Sequence, residues 1–159
     1  MNSCIRPAER RDVPVILELI QLLAAYEQLA HEVVATEAAL AEHLFGTTPR
    51  AEVLLLEAGG DVAGFALYFH SFSTFLGQPG IHLEDLFVRP EHRGRGHGKA
   101  LLVALAGLAV SRGCGRLEWS VLDWNSPAIA FYERMGARPM KGWSVYRLTG
   151  PALGAAARG

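Results

Sequence analysis

The chain has 159 residues, half of them hydrophobic and 19% charged, with a formal net charge of −1. That length supports one buried core, and the near-neutral balance removes any global attraction to nucleic acid or to an anionic membrane. Cys4 and Cys114 form no C-x-x-C pair and no disulfide framework, charged residues interrupt the N-terminus (Arg6, Glu9, Arg10, Arg11), and no apolar run reaches membrane-spanning length, so a soluble cytoplasmic protein is expected.

Ser3–Pro7 reads as an edge strand. Asp12 is placed as a helix N-cap with Pro14 in the first turn, and Val15, Ile16, Leu19, Ile20, Leu22 and Leu23 recur at helical spacing, which predicts a helix to about Leu29. Thr36 caps a second helix that ends near Gly46. After a break at Pro49, Ala51–Ala58 and Val62–Phe72 read as strands joined by a tight turn at Gly59-Gly60-Asp61. Gly77, Pro79 and Gly80 make Ser73–Gly80 a loop, and Ile81–Arg89 follows as a fourth strand. A long Ala/Leu helix then runs to Gly113. Arg116–Leu122 is a fifth strand, Ser126-Pro127 opens a helix closed by Gly136, and Arg138–Lys141 and Trp143–Leu148 are candidate final strands. This order predicts one α/β domain over residues 1–150, built on a mixed sheet, with 151–159 as a disordered tail.

The segment between the fourth strand and the long helix carries Arg93, Gly94, Arg95, Gly96, His97, Gly98 and Lys99. Glycines let backbone N–H groups approach a ligand, and a helix N-terminus presents unpaired N–H groups and partial positive charge. With three cations added, this is a site for a phosphate or diphosphate. A Walker A loop would need Gly at 93 and Ser or Thr at 100, where Arg93 and Ala100 stand; the dinucleotide fingerprint would need Gly at 99, where Lys99 stands. Metal readings fail too. His82-x-Glu84 lacks a following P-C-x-x-C, and His92 and His97 belong to no H-E-x-x-H, so no metal is expected.

What remains, Arg93-x-x-Gly96-x-Gly98 between a strand and a helix, resembles the acetyl-CoA diphosphate loop of the GNAT acetyltransferase superfamily. Tyr26-Glu27, Leu83 to Val88, Val121 to Asn125, and Phe131 to Arg134 before Gly136-Ala137 are similar to the spermidine/spermine and thialysine N-acetyltransferases. The resemblance covers nearly the whole chain. It implies a mostly antiparallel sheet of about seven strands flanked by about four helices. It also implies acetyl-CoA as co-substrate, a homodimer joined through the C-terminal segment, and acetyl transfer to a small amine by direct attack in a ternary complex. A non-catalytic acyl-CoA sensor, or a transferase acting on protein lysines or N-termini, are the alternatives.

Such chemistry needs a base for an amine of pKa ~10, a held thioester carbonyl, and an acid for the departing thiolate. Glu84 sits in an apolar strand, where a carboxylate is either at a solvent-facing strand end or a site residue; the resemblance makes it a base acting through water. His82 shares its face. Asp85 points to the opposite face of a regular strand, so both acids meet one substrate only if the strand bulges, as the resemblance implies; otherwise Asp85 is a structural partner for a loop. Tyr132 lies on a helix face with Ala128, Phe131 and Met135, which reads as core, whereas the resemblance makes it the acid. Phe87 and Val88 would offer backbone groups to the pantetheine arm. Asn125 would offer its amide there, or cap the helix at Ser126. Tyr26 and Glu27, with Glu32, are candidates for the far end of a diamine. Ser73 and Phe75 stand where the polyamine enzymes carry an acid and a Trp, which favours a lysine analogue or short diamine over spermine.

Overall fold

A computed structural model describes residues 3–159, which divide into two compact units, the first ending at Leu122 and the second spanning Asp123–Gly159. In the first, five strands form one sheet in the order β1 (Ser3–Pro7), β2 (Glu52–Ala58), β3 (Asp61–Ser73), β4 (Gln78–Val88), β5 (Leu117–Trp119). Neighbours are antiparallel except β4 and β5, which run parallel. The hairpin between β2 and β3 turns on Gly59 and Gly60, both with φ in the left-handed region that suits glycine.

Helices cover both faces of the sheet. The stripe predicted in the first helix holds: α1 (Val13–Tyr26) buries Ile16, Leu19 and Leu23 with Leu44 of α2 (Glu37–Phe45) against Val53, Leu55, Phe65 and Phe87. The strand alternation places Leu54, Leu56, Ala66, Tyr68, Ile81 and Leu83 on the other face, where α3 (His97–Ser111) buries Leu101, Leu102, Leu105 and Ala109. Thr36 caps α2 as expected, its Oγ1 accepting from Ala39 N at 3.2 Å.

Asp12 differs from its predicted role. Its carboxylate accepts from Arg6 Nη1 and Nη2 at 2.8 and 3.0 Å and from Glu9 N at 2.7 Å, with no cap bond to α1. A charge-assisted pair with a neighbouring strand outcompetes the local cap. α1 stops at Tyr26 rather than near Leu29, because Gln28 turns into the left-handed region at φ 62° and Leu29 N bonds back to Ala24 O. The loop predicted from Ser73 shrinks to 74–77. Pro79 is accommodated near the start of β4, opposite Phe72.

The second unit holds α4 (Ser126–Arg134) and α5 (Gly150–Ala156). Neither Arg138–Lys141 nor Trp143–Leu148 is a strand, so the described residues form five strands and five α-helices rather than seven and four. Their alternation marks a face but supplies no partner: Trp143, Val145 and Tyr146 are 80%, 86% and 94% exposed. The segment 151–159, expected as a tail, contributes to α5.

Candidate active site

The site of the first unit is built where β4 departs from regular geometry. Leu83 pairs with Tyr68 and Asp85 with Leu67, so Glu84 is an extra residue on β4. This bulge restarts the alternation and places His82, Glu84, Asp85 and Phe87 on the face covered by α1. The contacts agree: the His82 ring stacks on Phe69 with centroids 4.9 Å apart, and its Nε2 lies 3.7 Å from Glu84 Oε2. Phe69 was not legible as a site residue, since nothing local in the sequence signals a ring thirteen positions away.

From the other side, the end of α1 brings Glu27. It sits at the C-terminal end of the helix, where the backbone dipole disfavours an anion, and burial raises its pKa. Asp85 is pushed up to about 7, first by burial and then by the negative charges of Glu84 and Glu27. Thus Glu27, Glu84 and Asp85 form one acidic cluster with His82 beside it. Glu32 lies outside it, exposed and 3.2 Å from the neighbouring His31.

The glycine loop adjoins this cluster through Arg93. Its guanidinium carbon lies 5.0 Å from the Tyr26 ring centroid and 5.2 Å from that of Phe87, and its Nε donates to Val88 O at 2.8 Å. The Val88 carbonyl, expected to face the pantetheine arm, therefore already accepts from Arg93. Gly94 and Gly96 adopt φ 73° and 81°, the second as N-cap of α3. At Gly94, Gly96 and Gly98 an added Cβ would meet no atom within 4 Å. The protein's own packing does not demand the missing side chain at Gly98. Lys99 is exposed. Arg95 and His97 line a shallow cavity with His92, Ser3, Ala58 and Gly59.

β5 pairs with β4 only at Ile81, His82 and Leu83. Among the described residues, the stretch of β4 from the bulge to Val88 has a strand neighbour on one side only, β3. That stretch contains Phe87 and Val88, the positions expected to offer backbone groups to a ligand.

In the second unit Asn125 is the N-cap of α4, its Oδ1 accepting from Ala128 N at 3.4 Å, so the capping alternative is realised. Tyr132 is half-buried with its ring 5.3 Å from that of Phe131, and its carbonyl accepts from Met135 N and Ala137 N. Among the described residues no group of three or more His, Cys, Asp or Glu is arranged to hold a metal ion.

Residues 16–137 match the acetyltransferase (GNAT) family, and the chain belongs to that family as an N-acetyltransferase with the GNAT fold. It is 38% identical to an L-ornithine N5-acetyltransferase of Arabidopsis thaliana, over 96% of this chain and 87% of that one. It is 39% identical to a thialysine N-epsilon-acetyltransferase of Bos taurus, over 94% of each. Among solved structures, an integron cassette protein from the mobile metagenome of V. cholerae superposes with a TM-score of 0.83 at 26% identity, over 100% of this chain and 99% of that one.

Proposed function

We propose that the protein transfers the acetyl group of acetyl-CoA to the primary amine of a small amine, a lysine- or ornithine-like amino acid or a short diamine, by direct attack in a ternary complex. The observation that supports this best is the adjacency made by Arg93: one side chain touches both Tyr26, next to Glu27, and Phe87, two residues beyond Asp85. An anion-binding loop and an ammonium-binding cluster therefore share one face of the sheet. The bare N–H groups at Gly94–Gly98 with Arg95, His97 and Lys99 hold the diphosphate. Phe87 and Val88 flank the pantetheine arm.

Three carboxylates attract the cationic amine, and the Glu84–Asp85 pair receives its proton, directly or through water. The nitrogen lone pair then attacks the thioester carbonyl carbon, the C–S bond breaks, and Tyr132 supplies the proton that the thiolate takes up. The tyrosine regains it from the acylated nitrogen by way of solvent. Ser73 is buried with its Oγ accepting from Leu76 N at 3.2 Å, and Phe75 is exposed, so this loop adds no carboxylate for a long polycation. The relatives named for thialysine and L-ornithine fit the same choice. We also assign the protein to the cytoplasm, in keeping with the unpaired thiols of Cys4 and Cys114, and to a homodimer that covers the exposed Trp143–Leu148 segment.

The test is release of free CoA by purified protein with ornithine, thialysine, lysine, putrescine, spermidine, spermine and lysine-bearing peptides. Turnover highest with the short dibasic molecules supports the proposal. Turnover of peptides alone would make it a protein acetyltransferase. Acetyl-CoA binding without turnover of any amine would make it a sensor.

A further inference from the structure

The acidic cluster has two different ends. Toward the glycine loop stands Arg93, already committed to Val88 O and to the Tyr26 and Phe87 rings. In the opposite direction along β4 the same face carries His82 and then Gly80, because alternate residues of a strand share a face. A Cβ at Gly80 would come within 3.4 Å of Arg116 Cγ, so the stem of Arg116 lies over the place where Gly80 has no side chain. β5 runs parallel beside this stretch and sets Glu118 in register with His82. Arg116 Nε lies 2.8 Å from Glu118 Oε1, and both side chains are part-exposed. One such contact does not use up the five N–H donors of a guanidinium. The His82 ring is held by its stack on Phe69 and is also part-exposed; at 3.7 Å its approach to Glu84 is too long for a hydrogen bond.

Resting on the acetylation of a small amine proposed above, we propose that His82 and Arg116 determine its specificity by reading a carboxylate at the far end of the substrate. The substrate is then an α-amino acid whose side chain ends in a primary amine, rather than a diamine. The acetyl group arrives from the glycine loop, so an amine held at the acids extends away from the loop, toward His82 and Arg116. A carboxylate there meets an imidazole N–H and a planar guanidinium fork, which suits its two oxygens. The α-ammonium beside that carboxylate faces Glu118. The far end of a diamine carries a positive charge alone and meets the same guanidinium as a like charge. An amino-acid head, which bears both signs, matches the Arg116–Glu118 pair with His82 beside it.

The test is kcat/KM of wild type, His82→Phe and Arg116→Gln for three amines. These are ornithine, ornithine amide, which lacks the negative charge, and putrescine, the same chain without the carboxyl group. Phe keeps a ring against Phe69 and Gln keeps a stem over Gly80, so each variant removes chiefly the donors. Wild type is expected to favour ornithine over both comparison amines. In each variant both ratios fall by roughly 10–150-fold, as for loss of a hydrogen bond to a charged group, and the change lies in KM. Thermal unfolding and calorimetric titration with acetyl-CoA show that a variant is folded, and the amide comparison in wild type decides the matter even where one is not. A wild type that acetylates ornithine no better than its amide or putrescine overturns the inference and leaves small-amine acetylation standing, as do ratios unchanged in both variants. No turnover of any amine by wild type overturns the proposed function itself.

Discussion

Replacing Gly98 by alanine separates what the fold requires at the loop from what a ligand requires. Gly98 is the second residue of α3, its φ is not left-handed, and a Cβ there would meet no atom within 4 Å. For the unliganded protein the change is favourable: alanine in place of a compatible helical glycine stabilises by roughly 0.4–1 kcal/mol. In a chain of this length that raises Tm by about 1–4 °C. If the loop grips a diphosphate, the same methyl group would stand where its oxygens approach the first N–H groups of the helix. Loss of one hydrogen bond to a charged group costs about 1.5–3 kcal/mol, or roughly 10–150-fold in Kd. Gly107, exposed in the same helix and equally uncrowded, is the internal control. Gly107→Ala is expected to raise Tm alike and to leave acetyl-CoA affinity unchanged. Thermal unfolding without ligand and calorimetric titration with acetyl-CoA read the two effects. If Gly98→Ala binds acetyl-CoA as tightly as wild type, the loop does not grip a diphosphate and the reasoning fails at its base.

Other expectations follow from single side chains. Tyr132→Phe should lower kcat about 10²–10⁴-fold while acetyl-CoA affinity measured by calorimetry is kept; loss of affinity in step with rate would make the tyrosine a binding group instead. Asp12 accepts three hydrogen bonds in a nearly buried site, so Asp12→Asn should cost about 2 kcal/mol and lower Tm by roughly 4–8 °C. Arg6 holds the Asp12 carboxyl below its unfolded value of 3.8, so this stabilisation is fully present above that pH and is lost as pH falls through the native titration. Denaturation curves should therefore show a wild type to Asp12→Asn gap that is constant above about pH 5 and narrows below about pH 4; a gap independent of pH would refute the ion pair as its source. In light scattering, wild type should have twice the chain mass and a Trp143→Glu, Tyr146→Glu variant should have the chain mass, with a monomeric wild type counting against the dimer.

Where local chemistry decides an element, the sequence predicted it. Gly59-Gly60 set a hairpin, Thr36 a cap, and the Ile16–Leu19–Leu23 stripe a buried helix face, because each signal lies within a turn or two of its effect. Predictions failed where a distant partner decides. Asp12 has the right side chain to cap α1 and gives it to Arg6. The alternating residues of 143–148 have the composition of a strand, yet among the described residues they are paired in no sheet, and backbone groups without a partner gain nothing from extension. β5 shortens from Arg116–Leu122 to three residues for a related reason: its pairing with β4 ends at Leu83, where the bulge begins. The bulge itself has no signature in residue type, since Glu84 is an ordinary residue there, and only the resemblance suggested it. Gln28 in the left-handed region and the burial of Glu27 left no trace in the sequence at all.

The misfits have a common position, and that position is their meaning. A non-glycine residue at φ 62°, an anion at the C-terminal end of a helix, and a half-buried aspartate beside two other carboxylates each raise the energy of the native state. They occur together, at the end of α1 and on the facing stretch of β4, rather than scattered over the molecule. Arginines neutralise other carboxylates of this unit, as Arg6 does Asp12 and Arg112 does Glu52, at 2.8 and 2.7 Å. In the cluster of Glu27, Glu84 and Asp85 the available guanidinium, that of Arg93, lies on two aromatic rings instead. On the proposed function, a positive charge brought in by a substrate would relieve the repulsion among these three acids, and the relief would be withdrawn once the amine becomes a neutral amide. On that reading the electrostatics that would favour binding of the ammonium would also favour release of the acetylated product, without any change in the fold.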